Sequence, residues 1–356
     1  MRILHLIAPV AFGGGESLLY NLLGEKREGI SEAVALIYAS RLFEEKLEGL
    51  GVQTLRLSGR DIGQGISKWK ALLATPRNLR SAGRLSQFIR QEGIDVLHAH
   101  GYPACVLACA TVKGRIPKKI YTHHGLREVR PRSLERMFLE RIYRRFDALT
   151  GVSSAVCRSM NEAFSVGKRF RTVYNCVSPR FFEPGEAGGL PGILPATKKA
   201  RFVQIGRFTD PKNQLLVTRS LARLDPRFLE RIEVIFAGEG PTLEEIKVVV
   251  RAEGLDHSVR FLGHLPYADM PRLLAQCDYG LLPGKLEGMP VGIIECLSKG
   301  LPVLSVDTDL AREIIGKNGV LVPEDRFHEG FGTILQKEFN REEIREYARR
   351  FSPASV

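Results

Sequence analysis

Short apolar runs alternate along the whole chain with segments whose apolar residues recur every three or four positions. Arg2–Ala8, Ala33–Tyr38, Thr54–Leu57, Val96–His98, Lys119–Thr122 and Leu149–Val152 read as strands in the first half. Phe202–Ile205, Ile232–Ala237, Val259–Leu262, Tyr279–Leu282 and Val303–Val306 follow in the second. Helical spacing fills the intervals, as at Ser17–Leu23, Ala82–Glu92, Gln214–Leu224, Thr242–Glu253 and Ala268–Gln276. Strands buried on both faces and separated by helices predict parallel, doubly wound α/β sheets. There are two such series. The Gly/Pro-rich stretch between them lacks periodicity and reads as a linker over 182–197, giving domains at 1–181 and 198–356.

In open α/β sheets ligands bind beyond the carboxyl ends of the strands. The residues with chemical potential fall at those places. Gly13-Gly-Gly-Glu16 follows the first strand and opens a helix, so that backbone can approach a phosphate at Gly14 and Gly15. It is not the dinucleotide pattern G-x-G-x-x-G, because Leu18 stands where the last glycine belongs. Arg207 and Lys212 follow the strand at 202–205, and Gly238-Glu-Gly240 follows that at 232–237. Two cations on a loop entering a helix suit a diphosphate leaving group, whose charge grows as the glycosidic bond breaks.

The segment Glu287-Gly-Met-Pro-Val-Gly-Ile-Ile-Glu295 is the most informative. Gly288, Met289, Pro290 and Val291 form a turn into a helix start, with Pro290 expected at the first helical position. Such a start presents backbone N–H groups and a positive dipole end to an anion. Glu287 can then meet a polyol beside the anion, and Glu295, one helical turn in, can hold two vicinal hydroxyls.

His124 follows a strand in the first half and can hydrogen-bond a sugar hydroxyl. His123 competes for that role, and His98 and His100 are weaker candidates, His98 being expected to pack in its strand. Asp307-Thr-Asp309 looks like a metal-chelating pair, but Asp309 is better explained as a helix N-cap. No other cluster has metal-ligand spacing in the sequence, so no metal site is expected.

Composition narrows the classes. Hydrophobic residues at 44% and charged ones at 26% describe a water-soluble fold. No apolar run approaches the ~18 residues of a membrane span. Six scattered cysteines lack redox or metal spacing and suggest buried thiols in a cytoplasmic protein. The net charge of +12 is uneven: residues 1–180 hold 29 Lys and Arg against 15 Asp and Glu, and the rest 23 against 25. The densest stretch contains Arg127, Arg130, Arg132, Arg136, Arg141, Arg144 and Arg145, interleaved with Leu134, Met137, Phe138, Ile142, Tyr143 and Phe146. A core helix with a solvated basic face accounts for this, and so does a surface that docks on anionic lipid. No nucleic-acid module accompanies the charge, so nucleic acid is not an expected partner.

Taken together these motifs resemble the retaining glycosyltransferases with two Rossmann-like domains facing across a cleft (the GT-B arrangement), specifically the glycogen-synthase-like family 4. The matching segments run in order: Gly13-Gly-Gly-Glu16, Asp95-Val-Leu-His-Ala-His100, Thr122-His-His-Gly125, Gly151-Val-Ser-Ser154, Tyr174-Asn-Cys-Val177, Gly206-Arg-Phe208 with Lys212, Ala237-Gly-Glu-Gly240, Val259-Arg-Phe-Leu-Gly263, Glu287 to Glu295, and Lys299-Gly-Leu-Pro-Val303.

The resemblance implies metal-independent transfer with retained configuration from a nucleotide-sugar donor, with no cofactor. Glu287 would contact the donor sugar, Glu295 the ribose, Arg207 and Lys212 the diphosphate, and His124 the sugar near the reacting centre. Gly14, Gly15, Gly238 and the 288–291 turn would line the donor site, and Arg260, Phe261 and Leu262 would border the base. The first domain would bind a glycan or lipid-linked acceptor, in bacterial surface polysaccharide or lipopolysaccharide synthesis, at the inner face of the cytoplasmic membrane. UDP is favoured as carrier by family frequency alone.

Two departures stand out. Thr308-Asp-Leu310 replaces the family's usual Gly-Gly, and the sequence stops at Phe351-Ser-Pro-Ala-Ser-Val356, where the family pattern starts a last helix. The competing readings are a non-catalytic nucleotide-sugar or membrane-surface binding protein and a nucleotide-sugar epimerase.

Overall fold

The strands of the first half are Arg2–Ile7 (β1), Ser31–Leu36 (β2), Gln53–Arg56 (β3), Val96–His100 (β4), Lys118–His123 (β5), Ala148–Gly151 (β6) and Arg171–Thr172 (β7). Those of the second are Ala200–Ile205 (β8), Ile232–Ala237 (β9), Val259–Gly263 (β10), Tyr279–Leu282 (β11), Val303–Val306 (β12) and Gly319–Val322 (β13). The computed structural model describes residues 1–9, 14–58, 75–110, 118–126, 134–183 and 193–356. They divide into two units, Met1–Asn175 and Cys176–Val356. Residues 176–181, grouped with the first domain on sequence, pack in the second unit, as do Phe182 and Glu183 of the expected linker. There Val177 N donates to Phe351 O at 3.2 Å, and Lys299 Nζ donates to Arg180 O at 3.3 Å and Glu183 O at 2.8 Å.

Each unit carries one parallel sheet. The first has the order β3-β2-β1-β4-β5-β6-β7 and the second β10-β9-β8-β11-β12-β13. Both are doubly wound, as the alternation of apolar runs predicts. The strand order reverses between β1 and β4 in the first sheet and between β8 and β11 in the second, and such reversals open a crevice at the carboxyl edge. Sequence did not reveal β7, which has only two exposed residues, or β13, whose leading Gly319 reads as a turn.

The second unit shows why its central strands are apolar runs. All six residues of β9 are buried, with Phe202, Phe236, Val217, Leu221, Phe327 and Phe331 packed in the same core. Burying each such side chain contributes about 1.5–3 kcal/mol. Glu233, the one acidic residue of β9, is clamped by Arg201 Nε at 2.9 Å and Arg260 Nε at 3.0 Å. Burial pushes its carboxyl up, but the hydrogen bonds from Arg201 and Arg260 outweigh that and hold it below the usual range. In the first unit Tyr121 stacks on Tyr143 with centroids 5.3 Å apart, fixing β5 against the helix Leu134–Tyr143.

Candidate active site

Two backbone loops at the carboxyl edge of the second sheet are locked side by side. Gly206 N donates to Ala237 O at 3.0 Å, Phe208 N to Glu239 O at 2.9 Å, and Gly238 N to Gly263 O at 2.8 Å. This contact explains Gly238 and Gly240. Both hold positive φ, 148° and 158°. A Cβ on Gly238 would sit 2.1 Å from Gly206 O, and one on Gly240 would sit 2.3 Å from Phe208 O. Only glycine lets the 206–208 and 238–240 loops meet.

Beside them, at the β8/β11 reversal, stand the predicted charges. Lys212 Nζ lies 2.7 Å from Glu287 Oε1, and that buried oxygen has no other partner among the described residues. The pair is held from both ends. Gln204 Nε2 donates to Lys212 O at 2.7 Å, and Asn213, in the left-handed conformation, donates from Nδ2 to Pro283 O at 3.4 Å and Glu324 Oε1 at 3.2 Å. Lys285 pairs with the same Glu324. Arg207, half-buried in the loop after β8, has no carboxylate partner among the described residues.

Glu295 lies in the helix Val291–Ser298 and is 3% exposed. Burial raises its carboxyl to about 7, and a hydrogen bond with Tyr267 tempers the rise. The Tyr267 ring in turn lies 5.5 Å from that of Phe181. Gly288, Met289, Pro290 and Val291 are all buried at the entry of that helix. Pro290 is its N-cap, one position earlier than expected, with extended backbone and no side-chain cap of its own.

Some residues named from sequence stand elsewhere. Arg260 lies in the amino half of β10 and is bound to Glu233, away from the carboxyl edge; its pattern neighbours Phe261 and Leu262 are half-buried, and Phe261 stacks on Phe236 at 5.6 Å. Asp309 is not the cap of its helix. Thr308 Oγ1 accepts from Ala311 N at 3.1 Å, and Asp307 is held by Arg312 at 2.7 Å through each oxygen. Gly13 lies outside the described residues, as do Arg127, Arg130 and Arg132. Gly14 and Gly15 open the helix Gly14–Gly24, and nothing lies within 4 Å of a Cβ on Gly15. At the other end of the chain, residues 349–351 form a 3-10 turn, and Phe351 is fully buried.

The first sheet holds an arrangement that motif spacing did not reveal. His5 and His98 are register partners on β1 and β4, and His100 is two residues on, so all three share one face. One ring nitrogen of each lies within 4.8 Å of the others, a grouping able to hold a metal ion. Sequence spacing does not show this grouping, because His5 is more than ninety positions away from its partners. A signal was present: once β1 and β4 are neighbours, the two-residue alternation alone superposes the three rings.

Hydrogen bonds link the rings onward. Glu32 Oε1 lies 3.1 Å from His5 Nε2, His5 Nδ1 lies 3.1 Å from His100 Nε2, and His100 Nδ1 lies 3.2 Å from His124 Nε2. His98 Nε2 lies 2.7 Å from Thr122 Oγ1, which lies 2.7 Å from Thr150 Oγ1, whose hydroxyl donates to Tyr121 O at 3.1 Å. Burial holds His98 and His100 well below the usual imidazole range, with neighbouring rings adding to the effect, and burial alone puts His124 at about 4. His123, the competitor, is buried instead with Nδ1 against Tyr121 Oη at 2.7 Å.

Two family descriptions match. "Glycosyltransferase Family 4" covers residues 40–181 and "Glycosyl transferases group 1" covers 192–351. This chain belongs to the family 4, group 1 glycosyltransferases. Being a glycosyltransferase, it is an enzyme, and its two parallel-sheet units match solved GT-B structures. It superposes with TM-score 0.75 on Anabaena Alr3699/HepE in complex with UDP and glucose, at 19% identity over 100% of this chain and 96% of that one. The glycosyltransferase is also 23% identical to Bacillus subtilis (strain 168) EpsF, assigned as a glycosyltransferase, over 86% of this chain and 79% of that protein. Over 64% of this chain and 62% of the other it is 23% identical to the Escherichia coli UDP-Gal:alpha-D-GlcNAc-diphosphoundecaprenol alpha-1,3-galactosyltransferase.

Proposed function

We propose that this glycosyltransferase moves a hexose or N-acetylhexosamine, with retention of configuration, from a nucleoside-diphosphate sugar to a glycan or lipid-linked acceptor in surface polysaccharide or lipopolysaccharide synthesis. The Lys212–Glu287 pair, together with Arg207, which has no carboxylate partner among the described residues, carries the reading. Arg207 and Lys212 receive the diphosphate, so that negative charge developing on the leaving group meets fixed cations. Once Lys212 turns to phosphate, the buried Glu287 oxygen is released to accept from a sugar hydroxyl. Glu295 accepts from the ribose diol, and His124 meets a sugar hydroxyl. The reaction proceeds without a metal: Asp307 and Asp309 both face Arg312, at 2.7 and 3.5 Å, and the diphosphate charge is met by side-chain cations.

UDP is the favoured carrier. The superposed Anabaena protein is described with UDP and glucose, and the E. coli relative is named for a UDP-galactose donor and a diphosphoundecaprenol acceptor. Calorimetric titration with UDP, GDP and ADP, each with and without a chelator, tests the reading. Tight binding of one nucleotide that survives chelation supports it. No binding of any of them defeats it.

The helix Leu134–Tyr143 supports a peripheral place at an anionic membrane surface. Leu139, Ile142 and Tyr143 are buried, whereas Leu134, Met137 and Phe138 are 85%, 66% and 42% exposed. With Arg141 they make one face at helical spacing, apolar and ending in a cation. Such a face suits insertion between lipid head groups. No helix among the described residues is long and apolar enough to cross a membrane.

A further inference from the structure

We propose that Glu32, acting through His5 and His100, sets which nitrogen of His124 carries the proton, leaving His124 Nδ1 as a bare acceptor toward the substrate. The inference rests on the reading of His124 as a sugar contact and adds three positioning residues to it.

The argument follows the donors. A carboxylate only accepts, so Glu32 Oε1 takes the Nε2–H of His5 across 3.1 Å. A neutral imidazole has a single N–H, so His5 Nδ1 is then bare and accepts from His100 Nε2. His100 Nδ1 is bare in turn and accepts from His124 Nε2 across 3.2 Å. The last ring is left with Nε2–H inward and a lone pair on Nδ1, which has no hydrogen-bond partner among the described residues.

The chain is diagonal across the sheet. Glu32 is in register with Ile3 near the start of β2, His5 is central in β1, His100 ends β4, and His124 follows β5. A carboxylate near the amino end of the sheet is thus wired to the carboxyl edge. Burial of His100 and His124 supports single protonation of their rings. A neighbouring string runs through His98, Thr122 and Thr150. If Thr150 gives its proton to Tyr121 O, Thr122 donates to Thr150 and accepts from His98 Nε2. That string ends in the strand backbone, whereas the Glu32 string ends on His124.

Long-range ¹H–¹⁵N correlation of the histidine rings in the labelled full chain at about pH 8, above the ordinary imidazole range, tests this directly. The expected spectrum shows His5, His100 and His124 each protonated on Nε2 alone. Glu32→Lys replaces an acceptor with a donor, so each link should reverse and the His124 proton should move to Nδ1. Glu32→Gln, which still offers an acceptor, should keep the original pattern. Should Glu32→Lys not fold, His5→Phe severs the string, and His124 should then show a mixture of both forms.

A His124 proton on Nδ1 in the unaltered chain overturns the proposal, as does an unchanged His124 pattern in the altered ones or a doubly protonated His5. So does a stoichiometric zinc ion held through His5, His98 and His100, because His100 Nε2 would then be a ligand and not a donor. In transfer assays Glu32→Lys should lower kcat by roughly three- to tenfold, the worth of one hydrogen bond, with donor KM little changed and recovery in Glu32→Gln. Undiminished transfer by His124→Ala would instead defeat the reading of His124 as a sugar contact, and the ring spectra would still decide the wiring.

Discussion

The two sheets reverse strand order at comparable places and furnish the two reversals with opposite chemistry. At β8/β11 the groups are charged: Arg207 and Glu287 stand on loops, Lys212 ends the 3-10 turn Asp210–Lys212, and Lys212 and Glu287 neutralise each other at 2.7 Å. At β1/β4 the groups are rings kept uncharged by burial, His98, His100 and His124, joined by neutral hydrogen bonds. A diphosphate calls for the first kind of site, since only fixed cations offset its charge. Sugar hydroxyls call for the second, where a directed lone pair selects geometry and a net charge would add little. On the proposed function the contrast would separate anion binding from hydroxyl recognition, and it makes each open to attack by substitution.

The sharpest break is Glu287→Ala. It removes the group assigned to the sugar while leaving both cations. Transfer should fall by roughly 100- to 1,000-fold in kcat, with nucleotide affinity kept within a few-fold because the released Lys212 still meets phosphate. Near-normal turnover would sink the assignment. Arg207→Ala should do the reverse. Loss of a charge-assisted contact should weaken nucleotide binding by roughly 10- to 100-fold, measured by calorimetry, whereas His124→Ala should leave nucleotide affinity unchanged.

Glu295 sharpens the comparison, since it is a carboxyl on the charged side that burial makes partly neutral. Its value of about 7 lies above the ordinary 4.5. The folded state therefore binds more protons than the unfolded chain between those values. The associated stability is fully present below about 4.5 and is lost as pH rises toward 7. Glu295→Gln removes that loss. Denaturant melts should match those of the unaltered protein near pH 4 and exceed them at pH 8 by about 1–3 kcal/mol. Ribose hydroxyls would favour the ionised form, so nucleotide binding should release protons. Heats that do not vary with buffer ionisation enthalpy would count against Glu295 as the ribose contact.

What was legible in the sequence followed the same division. Strand runs were legible because burial on both faces leaves continuous apolar stretches, and β9, β11 and β12 fall where the pattern puts them. That Lys212 and Glu287 lie at the carboxyl edge was legible, because each follows a strand run that the pattern marks, and the structure pairs them at 2.7 Å. The histidine string was not, because it is written across β2, β1, β4 and β5, and residues far apart in sequence become neighbours only through strand order. The partner of Arg260 was hidden for a related reason: its motif is local, but Glu233 comes from the adjacent strand. Asp309 yielded the cap to Thr308, whose hydroxyl reaches Ala311 N.

The smallest expected effect concerns the Asp-x-Asp look-alike, and it tests whether the charged reversal needs more charge than it shows. Asp307 holds Arg312 through both oxygens at 2.7 Å, but the Arg312 side chain is 62% exposed. Exposed pairs contribute about 0–1 kcal/mol. Asp307→Asn should therefore shift the denaturant midpoint only slightly, and on the proposed metal-free reaction it should leave transfer unchanged with or without a chelator. If the pair were instead a metal clamp, the same substitution would cost activity on the scale of Glu287→Ala and make the remainder depend on added divalent cation. A clean result in either direction decides whether Arg207 and Lys212 alone carry the phosphate charge.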